Sequence, residues 1–127
     1  VRVLIVEDDW LVRTTVAEML QMRGHDVFEA GDATFALEIL REHPLDVLVS
    51  DINLPGMSGI ELVARAREHQ PGLAAVYATG HGHVDGMQAD ASTLVVMKPY
   101  GCDALTEALA RLFPPPGAAP LVPPADQ

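Results

Sequence analysis

Apolar residues fall along the chain in two kinds of block. Residues 3–6, 26–30, 46–50, 74–78 and 94–97 form short runs rich in Val, Leu, Ile and Ala. They are too short for helices and are bounded by polar or turn residues, so each predicts a strand. Between them apolar residues recur at helical spacing. Leu11, Val12, Val16, Met19 and Leu20 predict one apolar face of a helix over 11–23, and Gly24 ends it as a C-terminal glycine should. Asp32 is placed to cap a second helix with the stripe Ala33, Ala36, Leu37 and Leu40, closed by Pro44. A third helix is expected over 59–70, carrying Ile60, Val63 and Ala66 and ended by Pro71-Gly72. A weak helix is expected near 83–91. A last helix over 102–113 aligns Leu105, Ala108, Leu109 and Leu112.

Five strand–helix units with near-continuous apolar strands predict a doubly wound α/β domain, a five-stranded parallel sheet covered by helices on both faces. Right-handed crossovers leave few topologies. Sites in such sheets form outside the C-terminal ends of the strands. Four of the runs end on chemically capable residues: Glu7 and Asp8 after the first, Asp51 after the third, Thr79 after the fourth and Lys98 after the fifth. The fold alone therefore gathers three carboxylates, a hydroxyl and an ammonium at one rim.

A chain of 127 residues, 49% apolar, is long enough for one real core. Residues 1–113 read as that domain. Residues 114–127 hold six of the ten prolines and read as an extended tail, either a linker to a further domain or an end without a role. The formal charge of −10 argues against direct contact with nucleic acid or an anionic membrane, since phosphate binding needs a basic face. Cys102 has no second cysteine to pair with, which fits a reducing, cytoplasmic setting. No apolar stretch approaches the roughly 18 residues of a membrane span, and no leader-like start is visible. The first residue is Val1 rather than Met, which fits a trimmed natural N-terminus.

The gathered groups suit one chemistry. Clustered carboxylates raise each other's pKa or recruit a cation. Hard oxygen donors with open positions suit Mg²⁺, which keeps several waters and shares a phosphate. A carboxylate nucleophile with a hard metal, an ammonium and a hydroxyl beside it is equipped for phosphoryl transfer.

The chain resembles a receiver domain of two-component response regulators, the chemotaxis-regulator-like, flavodoxin-like (βα)5 fold. The stretches that carry the resemblance are Val3-Leu4-Ile5-Val6-Glu7-Asp8-Asp9, Val49-Ser50-Asp51-Ile52-Asn53-Leu54-Pro55-Gly56-Met57-Ser58-Gly59, Thr79-Gly80 and Lys98-Pro99-Tyr100, in order over residues 1–113. The resemblance implies that Asp51 accepts a phosphoryl group from a histidine kinase or phosphotransfer protein. It implies that Asp8 ligates Mg²⁺ directly, Glu7 mostly through water, and Asn53 through its backbone carbonyl. Thr79 would hydrogen-bond the phosphoryl group, Lys98 would pair with it, and the Lys98–Pro99 bond would be cis. Asn53 and His81 would flank the site and influence dephosphorylation. An output domain or downstream protein is implied as a further partner, and a weak homodimer is left open. The protein would act as a conformational switch that catalyses only its own phosphorylation and dephosphorylation.

Two departures stand out. Val95 occupies the place where the family usually carries a Tyr or Phe that swings inward. The interval from Thr79 to Lys98 is short and holds Gly80, Gly82 and Gly86, so the fourth helix is expected to be short or irregular. These departures motivate the alternative of a phosphorylation-independent interaction module. His81 and His83 lack a third soft ligand nearby, Cys102 reads as a small hydrophobe, and Asp9 as a helix N-terminal acid.

Overall fold

The structure, a computed structural model, describes residues 1–54, 56–79, 93–97 and 102–113, with Asn53, Thr79, Met97, Cys102 and Asp103 described by their backbone. In chain order the elements are β1 (Arg2–Val6), α1 (Trp10–Met22), β2 (Asp26–Ala30), α2 (Ala33–Glu42), β3 (Val47–Asp51), β4 (Asn53–Leu54), β5 (Met57–Ser58), α3 (Gly59–His69), β6 (Ala74–Thr79), β7 (Thr93–Met97) and α4 (Cys102–Leu112). The main sheet runs β2-β1-β3-β6-β7 with every pair parallel, the doubly wound arrangement the strand pattern predicts.

Strand alternation assigns the two faces. Val3, Ile5, Val47, Val49, Val76 and Ala78 point to one side and pack with Val16 and Leu20 of α1 and Leu105, Ala108 and Leu109 of α4. Leu4, Val6, Leu48, Ala75 and Tyr77 point to the other, against Ala36 and Leu40 of α2 and Leu62, Val63 and Ala66 of α3. Leu4, Ile5, Leu48, Leu62 and Leu105 are fully buried. Each such side chain stabilises the fold by about 1.5–3 kcal/mol relative to exposure.

The helix ends follow local chemistry. Asp9 caps α1 by accepting from the Leu11 and Val12 amides, Asp32 caps α2 through Phe35, and Ser58 caps α3 through Glu61. At the far end of α1, His25 N–H donates to Leu20 and Gly24 N–H to Gln21. Gly24 has φ +91°, so a Schellman turn closes the helix at the glycine that marks its end in the sequence.

Two features differ from the sequence expectation. Leu11 is 65% exposed rather than on the apolar face. It precedes Leu20 by nine residues, about two and a half turns at 3.6 residues per turn, so it faces the opposite way. The buried residues of α1 are Val16, Ala17 and Leu20. The second difference is an antiparallel hairpin in which β4 pairs with β5, turned through Gly56 at φ +79°. It is too short to show a period, and it delivers Ser58 to its capping position. The weak helix near 83–91 and the tail from 114 onward lie outside the described residues.

Candidate functional site

The site is built on the ends of β1 and β3. Glu7 directly follows β1, and its N–H donates to the Ala30 carbonyl (3.1 Å), extending the pairing with β2. That step carries Glu7 inward until it is 2% exposed. A buried carboxylate needs donors; Glu7 Oε2 accepts the Asp9 N–H at 3.1 Å. Asp9 in turn accepts from Leu11 (3.0 Å) and Val12 (3.2 Å) through Oδ1, and its carbonyl accepts from Arg13 N–H at 2.9 Å. The turn is thereby fastened at both ends, and Asp8 stands at its exposed corner.

Asp51 is the last residue of β3, half-buried and in register with Ala78 of β6. The chain then leaves the sheet: Ile52 N–H donates to Ala78 O (3.1 Å) and Gly59 N–H to Ile52 O (2.7 Å). Buried Ser50 donates through Oγ to the Asp51 carbonyl at 2.9 Å. Gly59 lies against the same carbonyl so closely that a Cβ there would overlap the Asp51 oxygen and stand 3.1 Å from Ser50 Oγ. α3 therefore starts in direct backbone contact with the residue that carries the central carboxylate. A glycine is required at that position for space rather than for a left-handed conformation.

Oxygen atoms of Glu7, Asp8 and Asp51 all lie within 4.8 Å of one another. One acid is buried, one half-buried and one exposed, so the group is anchored in the protein and open to water. Repulsion among three such charges is relieved by protonation or by a cation. All three donors are hard oxygens, with no imidazole or thiolate in the group, which fits Mg²⁺ rather than a softer metal. Asn53 belongs to β4, two residues beyond Asp51, with its backbone in register with Ser58.

Thr79 ends β6 in register with Met97, which ends β7, so its backbone reaches the rim beside the Asp51–Ala78 pair. Lys98, Gly80, His81, His83, Pro99 and Tyr100 lie outside the described residues. Val95 is half-buried, in register with the buried Tyr77 and packed on the α2–α3 side. Sequence patterning misses the parts played by Gly59 and Arg13. Arg13 lies on α1, and its guanidinium donates to the Glu7 carbonyl at 2.8 Å. Its position on a polar helix face gives no hint of that contact. Among the described residues, no helix is long and apolar enough to cross a membrane.

The family model of the response regulator receiver domain matches residues 3–110. The chain is 33% identical to the response regulator protein FleR of Pseudomonas aeruginosa, over 87% of this chain and 24% of FleR. It is 36% identical to the aerobic respiration control protein ArcA of Escherichia coli K12, over 82% of this chain and 44% of ArcA. The chain thus spans less than half the length of either relative. Among solved structures it is similar to response regulator protein TrrA of Thermotoga maritima in complex with Mg²⁺-BeF, with a TM-score of 0.77 and 26% identity over 87% of this chain and 97% of that one.

Proposed function

The chain belongs to the response regulator receiver domain family, the signalling modules of two-component systems, and from that premise we propose that it is a switch phosphorylated on Asp51. The observation that carries this reading is the meeting of Glu7, Asp8 and Asp51 within 4.8 Å at the ends of two adjacent parallel strands. Such a group suits a hard cation and brings the Asp51 carboxylate to it as the attacking nucleophile.

Glu7, Asp8, Asp51 and the Asn53 carbonyl would hold Mg²⁺, which when bound supplies positive charge to the phosphoryl oxygens. An Asp51 oxygen attacks phosphorus in line. The bond from phosphorus to the donor, a phosphohistidine nitrogen of a histidine kinase or phosphotransfer protein, breaks as the acyl phosphate forms. The Thr79 hydroxyl donates to a phosphoryl oxygen and the Lys98 ammonium pairs with another. Water attack on phosphorus later returns Asp51 and inorganic phosphate. The added charge favours a second arrangement of the rim, and a surface reads that population shift. Residues 1–113 are the switching module, residues 114–127 a Pro-rich tail or linker, and the setting is cytoplasmic. Val95, lacking the usual aromatic, is the observation that favours the second reading, a module that docks without being phosphorylated.

The deciding experiment is intact mass after incubation with acetyl phosphate, with and without Mg²⁺. The reading expects one phosphoryl adduct with Mg²⁺, none without it, and none in the Asp51→Asn protein. A folded wild-type protein that takes no adduct from acetyl phosphate or from a histidine kinase overturns it in favour of docking alone.

A further inference from the structure

Arg13 is a cation that touches the acid-bearing turn from the α1 side, through the turn's backbone. Its Nη1 donates to the Glu7 backbone carbonyl at 2.8 Å, and its Nε stands 3.5 Å from Glu29 Oε1 on β2. The side chain is only 17% exposed. Gly31, just past β2, lies under the guanidinium: a Cβ there would stand 3.1 Å from Nη1. Arg13 is thus seated over a glycine, joined to β2 by an ion pair and to the end of β1 by a hydrogen bond. Its own amide meanwhile donates to Asp9, so the turn bearing Glu7 and Asp8 is clasped from α1 at two points.

We infer that Arg13 is a positioning residue for the Mg²⁺ site, fixing the Glu7–Asp8 backbone so that both carboxylates face Asp51. The inference rests on the metal-holding role given above to those acids. Its logic is a matter of sign. A cation beside a metal site repels the metal, so Arg13 acting as a charge alone would weaken Mg²⁺ binding, and its removal would tighten it. Arg13 acting through the Glu7 carbonyl holds ligands in place, and its removal loosens binding despite the lost repulsion. Groups standing behind metal ligands in this way commonly change metal affinity by about 10–100-fold when removed. The fork of Arg reaches the Glu7 carbonyl and Glu29 together, and the single ammonium of Lys cannot.

The test is Mg²⁺ binding by isothermal titration calorimetry on the full chain, with the metal alone, for wild type, Arg13→Met and Arg13→Lys. Thermal unfolding is followed in parallel. The expected result is about tenfold weaker Mg²⁺ binding for Arg13→Met and a smaller loss for Arg13→Lys, whose net charge is unchanged. If Arg13→Met does not fold, Arg13→Lys carries the decision alone, since any weakening there is geometric. Native folded variants with unchanged or tighter binding, even with a lowered unfolding midpoint, assign Arg13 a structural role and overturn the inference. A wild-type protein that binds no Mg²⁺ overturns the underlying metal site as well.

Discussion

Replacing Gly59 by Ala presses a methyl group onto the backbone that carries Asp51. The new Cβ would overlap the Asp51 carbonyl oxygen, stand 3.1 Å from the Asp51 carbonyl carbon and 3.1 Å from Ser50 Oγ. Two of these neighbours are backbone atoms, and the third ends a short buried side chain that is itself bonded to the Asp51 carbonyl. The Asp51 carbonyl is fixed by β3 and accepts from Ser50, while Gly59 is tied to Ile52 by its own 2.7 Å hydrogen bond. Relief therefore needs α3 or the end of β3 to shift. Overpacking of this kind costs about 1–3 kcal/mol, and a rigid backbone neighbour puts it at the upper end. The gain in helix propensity over Gly offsets up to about 1 kcal/mol. The net loss is about 2 kcal/mol, or about 8 °C in unfolding midpoint for a domain of this size. The assay is thermal unfolding of Gly59→Ala beside Gly72→Ala, since a methyl group at Gly72 would meet nothing within 4 Å and serves as the unhindered control. Because the crowded oxygen belongs to Asp51, Gly59→Ala is also expected to slow uptake of the phosphoryl group. A Gly59→Ala protein that melts with the wild type, or no lower than Gly72→Ala, refutes the crowding argument.

Other consequences follow from single contacts. Gln70 donates through Nε2 to the Leu40 and His43 carbonyls, each at 2.8 Å, and accepts the Leu45 N–H at 2.8 Å. Gln70→Ala frees the join between α2 and β3 and should cost about 2 kcal/mol, seen as a lower urea midpoint with an unchanged slope. Asp9→Ala removes the oxygen that caps two amides of α1 and should cost about 1 kcal/mol by the same assay. The His25 pKa is lowered from 6.5, chiefly by burial, then by the N-terminal ammonium and Arg23. The unfolded chain then binds the proton first, so this stabilisation is fully present above pH 6.5 and is lost as pH falls through the lower folded value. Comparing wild type with His25→Gln in urea from neutral pH downward should show the extra loss of stability in wild type only, and equal slopes would contradict it.

The sheet was legible because its central strands β1, β3 and β6 are near-continuous apolar runs too short for helices, while the edge strand β2 is broken by Glu29. The rim was legible for the same reason: wherever such a run stops, the next polar residue stands at an end of the sheet. Glu7, Asp8 and Asp51 meet in space because β1 and β3 are parallel neighbours, which follows from the winding order. Leu11 misled because an apolar residue in a first turn looks like the start of a stripe until its helical angle is counted. The β4–β5 hairpin lay below the length at which alternation shows. Gly59 and Arg13 escaped for a deeper reason. One acts by the absence of a side chain against a carbonyl, the other by reaching a carbonyl six residues back, and backbone atoms leave no mark in a pattern of side chains.

The central claim is that Asp51, of the three neighbouring acids, carries the phosphoryl group. Borohydride reduction after treatment with acetyl phosphate and Mg²⁺ converts an aspartyl phosphate to homoserine, and peptide mass mapping then locates the reduced residue. The account predicts homoserine at position 51 alone. Homoserine at position 8, the five-carbon alcohol that reduction of a glutamyl phosphate would leave at position 7, or reduction at none of the three, would contradict it.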